Sequence, residues 1–99
     1  MITVDTKLAE FLYSELKRRT AGKIGISRDS YGRGEQEAYE IFRDAALDLG
    51  LEITTDFAGN LYCSLPGRDR TAPRVLLGSH IDSVPAGGNF DGATGVVAG

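Results

Sequence analysis

The chain has 99 residues, of which 41% are hydrophobic and 25% charged, and its formal net charge is -3. This composition is ordinary for a globular protein and excludes intrinsic disorder, which requires few apolar residues and a large net charge. The length suffices for one domain with a modest core. The only basic run, Lys17 to Arg19, lies at a predicted helix end, and no basic stripe alternates with aromatic residues. We therefore expect no nucleic-acid partner.

The sequence also bears on the cellular compartment. No apolar stretch approaches the roughly 20 residues that span a bilayer, and residues 1–5 lack the layout of a signal peptide. Cys63 is the single cysteine, so no internal disulfide can form. Because disulfides accumulate in oxidising compartments, their absence is typical of cytoplasmic proteins. We predict a cytoplasmic protein with no membrane partner.

Hydrophobic periodicity predicts two amphipathic helices in the first half of the chain. The first runs from Asp5 to about Thr20, because apolar residues recur there at helical offsets. Its apolar face contains Leu8, Phe11, Leu12 and Leu16. The second runs from about Glu35 to Leu49, and Gly50 follows it, as is common at a helix C-terminus. Its apolar stripe contains Ala38, Phe42, Ala45 and Leu49.

A β-hairpin and a buried strand are predicted next. Residues 51–57 alternate apolar and polar side chains, the periodicity of a strand with one buried face. Residues 58–60 form a short turn, and residues 61–65 return as the second strand. After a polar loop, residues 74–79 form a nearly continuous apolar run, typical of a strand buried on both faces. This order of elements predicts an α/β fold.

The last segment, Asp91 to Gly99, predicts the first turns of a further helix that stops without a cap or turn signal. Small residues along it would let this helix pack closely against the sheet, and they are Gly92, Ala93, Gly95 and Ala98. The interrupted helix is the first reason to expect that the α/β domain is incomplete within these 99 residues.

A candidate metal site follows the predicted buried strand, in the stretch GSHIDSVPAGGNFDG. In open α/β sheets, binding groups cluster beyond the carboxyl ends of the strands. His80 and Asp82 are two residues apart, so on an extended backbone both side chains point to the same side. A metal-bound imidazole usually donates its second ring N–H to a carboxylate or carbonyl, and we predict that Asp82 orients His80 in this way. Asp91 would supply a carboxylate, which can bridge two divalent ions about 3.5–4 Å apart.

These residues also have ordinary structural explanations. A lone His-x-Asp pair is a weak indication of a metal site, and His80 could simply be packed and hydrogen-bonded within an α/β domain. An aspartate before glycine, such as Asp91, is usually part of a turn or a helix cap. The glycine-rich stretch is not a P-loop, because no Gly-Lys-Ser/Thr follows it. Spacing alone therefore leaves both a metal site and a purely structural role open.

A resemblance to a known family extends from about Gly25 to Gly99. The hydantoinase/carbamoylase amidases have a first metal-binding segment similar to GSHIDSVPAGGNFDGATGVVAG. This family includes N-carbamoyl-L-amino acid hydrolases, allantoate amidohydrolases and β-ureidopropionases, and it belongs to the M20-type dinuclear metallohydrolases. GLEITTDFAGNLYCSLPGR resembles its hairpin, and GISRDSY resembles its G-V-T-R-x-x-Y motif. The gap from Asp82 to Asp91 is short, whereas the dipeptidase and deacetylase branches usually have a longer loop there.

The resemblance implies a role for each candidate site residue. His80 would ligate one metal ion, Asp91 would bridge two, and Asp82 would be the catalytic acidic partner of His80. The cofactors would be two divalent ions per active site, and a histidine and carboxylate set suits zinc, manganese, cobalt or nickel. A cis peptide bond would join Asp91 to Gly92. The partners would be a small-molecule substrate and, in a homodimer, a second copy of the parent protein.

The resemblance also implies metal ligands and a domain that residues 1–99 do not contain. Family members are much longer and supply a Glu-Glu pair, two further histidines and a dimerisation domain. His80 is the only histidine here. We therefore expect residues 1–99 to be the N-terminal part of the catalytic metal-binding domain and to be inactive alone.

The resulting hypothesis is that the parent protein hydrolyses a linear amide C–N bond other than a peptide bond. The substrate would be the carbamoyl or ureido group of an N-carbamoyl-L-amino acid or of allantoate. Two alternatives stay open. The parent could be another M20-type hydrolase, such as an aminoacylase or a dipeptidase, or the chain could be a non-catalytic α/β remnant or interaction module.

Overall fold

The first helix begins at a capping aspartate. A computed structural model describes residues 2–99, and in it α1 spans Thr6–Thr20. Asp5 Oδ1 accepts a hydrogen bond of 2.9 Å from the backbone N–H of Leu8, which satisfies one of the free donors of the first turn. The basic run at Lys17 to Arg19 occupies the last turn, where the helix dipole favours cations. The predicted first helix is confirmed.

The second helix, α2, spans Arg33–Asp48 and packs against α1. Apolar side chains from both helices form most of the core, which is completed by residues from the end of the chain. The buried members are Leu12, Leu16, Ala38, Ile41, Phe42, Ile81 and Ala93. Arg19 joins the helices at their edge, because its side chain hydrogen-bonds to Glu37 Oε2 at 2.6 Å and to Glu40 Oε2 at 2.8 Å. Two members of the predicted stripes, Phe11 and Leu49, are instead exposed.

The predicted hairpin is confirmed. Strand β1 spans Glu52–Thr55, strand β2 spans Leu61–Ser64, and the two pair antiparallel. Asp56 organises the turn, because its Oδ1 accepts from the backbone N–H groups of Ala58 and Asn60 at 3.0 Å each. An aspartate that hydrogen-bonds to the backbone two residues ahead is a common turn device.

The predicted buried strand at residues 74–79 is wrong for this chain. The segment carries no strand pairing, since the sheet formed within residues 2–99 contains only β1 and β2. Its apolar side chains are exposed, at 89% for Val75 and 76% for each of Leu76 and Leu77. Burial on both faces requires neighbouring strands and a covering layer, and the described residues supply neither. We name residues 74–79 the apolar run.

A third helix, α3, spans Ala93–Ala98, as predicted for the end of the chain. It follows the segment that bears His80, Asp82 and Asp91, which we name the ligand segment, residues 80–92. Two long helices, a hairpin and the short α3 confirm the predicted α/β class. Within residues 2–99, no helix combines the length and the apolar character needed to cross a bilayer.

Candidate metal centre

The ligand segment is held by residues 26–28, which run antiparallel to its first half. Ile26 and Gly87 exchange two backbone hydrogen bonds, of 2.9 and 2.8 Å. Arg28 and Ser83 exchange another pair, because Ser83 N donates to Arg28 O at 2.8 Å and Arg28 N donates to Ser83 Oγ at 3.0 Å. The loop between the predicted ligands is therefore held in place by antiparallel hydrogen bonds to residues 26–28.

Asp82 lies against one nitrogen of the His80 ring. Nδ1 of His80 is 3.1 Å from Asp82 Oδ1 and 3.1 Å from the backbone oxygen of Asp82. Two acceptors at Nδ1 favour the tautomer with its proton there, which leaves the lone pair of Nε2 free for a ligand. The contact that we inferred from the two-residue spacing is therefore present.

Ser30 holds Asp82 from the opposite side. Its hydroxyl donates to Asp82 Oδ2 at 2.5 Å. This hydrogen bond is the main cause that lowers the pKa of Asp82 below its ordinary 3.8; burial acts in the opposite direction, and the hydrogen bond to His80 lowers the pKa further. Asp82 is thus an anion at neutral pH, which suits an acceptor of the imidazole proton.

Asp91 faces the other nitrogen of the ring. Its Oδ1 lies 3.8 Å from His80 Nε2. Two donors bonded to one zinc ion at tetrahedral angles are roughly 3.4 Å apart, so the observed distance is close to that of two ligands of one ion. The side chains of His80 and Asp91 are 57% and 54% exposed. His80 is therefore no packed core histidine, and both donors are accessible.

Gly92 lies directly under the imidazole. A Cβ atom added there would be 2.3 Å from the backbone oxygen of His80 and 2.5 Å from its Nδ1. Gly92 also has a φ of +66°, a conformation that favours glycine. Residues 2–99 contain no cis peptide bond, so the bond between Asp91 and Gly92 is trans and the expected cis bond is wrong here. The chain turns at this point through the positive φ of Gly92. Gly92 therefore packs closely against His80, whereas the predicted packing of the last helix was against the sheet.

A fully buried arginine connects the two ends of the ligand segment. Arg28 is 0% exposed, and its Nε donates to Ile81 O at 2.6 Å. Its Nη1 donates to Asn89 Oδ1 at 3.1 Å, and its Nη2 donates to Asn89 O at 3.1 Å and to Asp91 O at 3.5 Å. Burial lowers the pKa of Arg28, whereas the negative charges of Asp91 and Asp82 raise it.

Sequence reasoning did not assign a role to Arg28. The available signal was its place in GISRDSY, the stretch that resembles a family motif. Its contacts with residues 81–91 join positions 53 to 63 residues apart, which no local pattern reveals.

Asn89 and Phe90 tie the ligand segment to α1. Asn89 Nδ2 donates to Tyr13 O at 3.0 Å, and the rings of Tyr13 and Phe90 pack edge to face at 4.8 Å. The Tyr13 hydroxyl also donates to Thr94 Oγ1 at 3.1 Å, at the start of α3. Helix α1 therefore braces the second half of the ligand segment and the start of α3.

An open cleft beside His80 is bounded by the hairpin turn. Its walls include Ser30, Tyr31, Tyr39, Asn60 and Asp82. The Tyr31 hydroxyl donates to the backbone oxygen of the turn residue Ala58 at 3.0 Å, which links the turn to the loop before α2. The His80 imidazole is open to solvent at this cleft.

The donor set fits part of a metal site. Within the described part of the chain, no group of three or more His, Cys, Asp or Glu side chains is placed to hold an ion. His80 and Asp91 are two donors whose chemistry suits zinc, manganese, cobalt or nickel, while Asp82 contacts the imidazole. A pair of ions needs further ligands, so these residues can form one side of such a site.

Relatives of this chain carry informative names. No family model matches it. It is similar to N-carbamoyl-L-amino acid amidohydrolases of Pseudomonas sp. and Geobacillus stearothermophilus, at 40% and 41% identity over 75 residues, or 76% of this chain and 18% of each relative. It is also 40% identical over 74 residues to an allantoate amidohydrolase of Escherichia coli, which covers 75% of this chain and 18% of that relative.

A solved structure agrees with these sequence relatives. The crystal structure of a hydantoinase/carbamoylase family amidase from Burkholderia ambifaria matches 96% of this chain and 24% of its own, with a TM-score of 0.87 and 33% identity. The chain belongs to the hydantoinase/carbamoylase family of amidases. As a member of this amidase family it spans only 18% of the length of the curated relatives named above. The predicted resemblance is confirmed.

Proposed function

We propose that the protein containing this chain is a metal-dependent amidohydrolase. It cleaves a linear amide C–N bond other than a peptide bond, in the carbamoyl or ureido group of an N-carbamoyl-L-amino acid or of allantoate. The single observation that carries this proposal is the arrangement of His80, whose Nε2 faces Asp91 at 3.8 Å while Asp82 contacts its Nδ1. The names of the sequence relatives support the substrate class.

In this proposal, His80 and Asp91 hold one side of a site for two divalent ions, which are zinc, manganese, cobalt or nickel. Such ions, when bound, polarise a carbonyl group and lower the pKa of a bound water toward neutrality. The remaining ligands and the general base come from residues beyond these 99. Residues 1–99 are then the N-terminal part of the catalytic domain in a cytoplasmic, homodimeric parent protein.

The residues of this chain have separate tasks. Asp82 keeps the proton of His80 at Nδ1, and Ser30 keeps the Asp82 carboxylate turned toward the ring. Gly92 leaves room for the imidazole above the start of α3. A small-molecule substrate enters through the cleft that Tyr31 and Asn60 border.

The test uses the full-length protein encoded by the open reading frame that contains this sequence. Ammonia release from N-carbamoyl-L-amino acids and from allantoate is measured before chelation, after chelation and after metal is restored. The metal content of His80→Ala and Asp91→Ala is compared with that of Asp44→Ala, a control on the exposed face of α2. We expect chelation to abolish turnover and the first two variants alone to lose metal.

Three outcomes would contradict the proposal. Unchanged metal content in both ligand variants would remove the metal site. Turnover of N-acetyl amino acids or dipeptides in place of carbamoyl substrates would favour another M20-type hydrolase. Turnover by purified residues 1–99 would show that these residues need no further part of the catalytic domain.

A further inference from the structure

One buried guanidinium bridges the two arms of the candidate metal centre. The first arm is His80–Asp82 and the second arm is Asn89–Asp91. Arg28 Nε donates to the backbone oxygen in the middle of the first arm at 2.6 Å, and its two terminal nitrogens donate to Asn89 in the second arm at 3.1 Å each. A single rigid group therefore sets the spacing of the backbones that carry both predicted ligands.

This position requires the geometry of arginine. Guanidinium presents five N–H donors in a fixed plane, whereas a lysine ammonium has three donors around one point. Four acceptors are supplied by the two arms, and three of them are backbone carbonyl oxygens. An ammonium at the same depth could not reach both arms along the same directions.

Arg28 is fully buried, and among the described residues its positive charge lacks the carboxylate partner that buried cations usually have. Within residues 2–99, no carboxylate is within salt-bridge distance of its guanidinium, although buried cations are ordinarily paired. The carboxylates that act on it most are those of Asp91 and Asp82, through space. The cation thus attracts both acidic groups of the centre through space.

We propose that Arg28 is a positioning residue of the metal centre, which fixes the separation of His80 and Asp91 so that both reach the same ion. The inference rests on the proposed function, because it assumes that these two side chains are ligands. Metal–ligand bonds tolerate deviations of only about 0.2 Å, so loss of the common anchor is expected to weaken binding even where the chain stays folded.

A purely structural role makes a different prediction, and a matched control separates the two. Arg19 also links two elements through side-chain hydrogen bonds, to Glu37 and Glu40, but it touches neither arm. Arg28→Lys, Arg28→Met and Arg19→Met are compared in the full-length protein. Each variant is assayed well below its own melting temperature for its dissociation constant with Zn²⁺ alone and for the visible absorption spectrum of its Co²⁺ form.

We expect both Arg28 variants to bind Zn²⁺ roughly 10- to 100-fold more weakly and to change the Co²⁺ spectrum, as loss of a group that orients metal ligands does. Arg19→Met should lower the melting temperature without either change. Folded Arg28 variants with wild-type affinity and spectrum would overturn the inference. If they fail to fold, Asn89→Ala decides by the same two measurements, because it removes an Arg28 acceptor from the second arm, together with the hydrogen bond from Asn89 to Tyr13 O.

His80→Ala and Asp91→Ala are titrated in the same series. If these two variants keep wild-type affinity, the proposed function fails. If they lose the metal while Arg28 and Asn89 variants keep it, only the positioning role of Arg28 is wrong.

Discussion

Two neighbouring segments of this chain differ in how they are held. The apolar run has exposed side chains and no strand partner within residues 2–99. The ligand segment begins at the next residue, and it is anchored by Ile26, Arg28 and Tyr13 through hydrogen bonds of 2.6–3.5 Å. The comparison teaches that contacts within this chain fix the ligand segment, whereas the apolar run has no strand partner among the described residues.

The largest expected effect concerns the apolar run. We expect the apolar run to be buried in the full-length protein, where Leu76→Ala should then cost about 2–5 kcal/mol of unfolding free energy. The measurement is urea denaturation, with Lys7→Ala on α1 as the surface control, expected to change stability by less than about 0.5 kcal/mol. A Leu76→Ala cost no greater than that of the control would mean that the run stays exposed, and the contrast between the segments would disappear.

The next effect concerns the ligand segment itself. Gly92→Ala places a methyl group against the His80 imidazole and forces a left-handed conformation on alanine, at a cost of about 1–3 kcal/mol, and it should also reduce the metal content. Gly88→Ala is the matched control, because a Cβ atom there meets nothing within 4 Å. Denaturation and metal analysis of both variants test this. Equal stability and equal metal content in the two variants would show that close packing of Gly92 against His80 contributes to neither.

A smaller effect is expected at Asp82. Asp82→Asn keeps the size of the side chain but removes the charge that holds the imidazole proton, and we expect roughly 10- to 100-fold weaker Zn²⁺ binding. Ser30→Ala, which removes only the hydroxyl behind Asp82, should have a smaller effect in the same titration. Zn²⁺ affinity that is unchanged in Asp82→Asn would mean that another group orients His80.

The smallest effect lies in the hairpin turn, which borders the cleft beside His80. Hydrogen bonds, chiefly from the side chain of Asn60, lower the pKa of Asp56 below its ordinary 3.8. Because the pKa is lower in the folded state, the ionised carboxylate stabilises the turn above about pH 3.8, and this contribution is lost as the pH falls through the folded value. Amide hydrogen exchange at Asn60 should therefore quicken in acid relative to its intrinsic rate. Asp56→Asn should lack this pH dependence, and an equal response in that variant would point to another group.

The sequence by itself determined the local parts of this protein. The helices α1 and α2 follow from apolar residues at helical spacing, and the hairpin follows from alternation on either side of a short turn. The contact between His80 and Asp82 follows from a two-residue spacing. Each of these depends on neighbours in sequence, and for that reason pattern and propensity were sufficient.

Only the tertiary structure decided the rest. The burial of Arg28, the position of Gly92 under the imidazole and the approach of Asp91 to His80 all join residues 11 to 63 positions apart. The prediction of a buried strand at the apolar run was wrong for a related reason. Apolar side chains are buried only where other strands or helices cover them, and the described residues provide no such cover. Non-local contacts depend on how elements dock, and docking is a property of the folded chain that no short stretch of sequence contains.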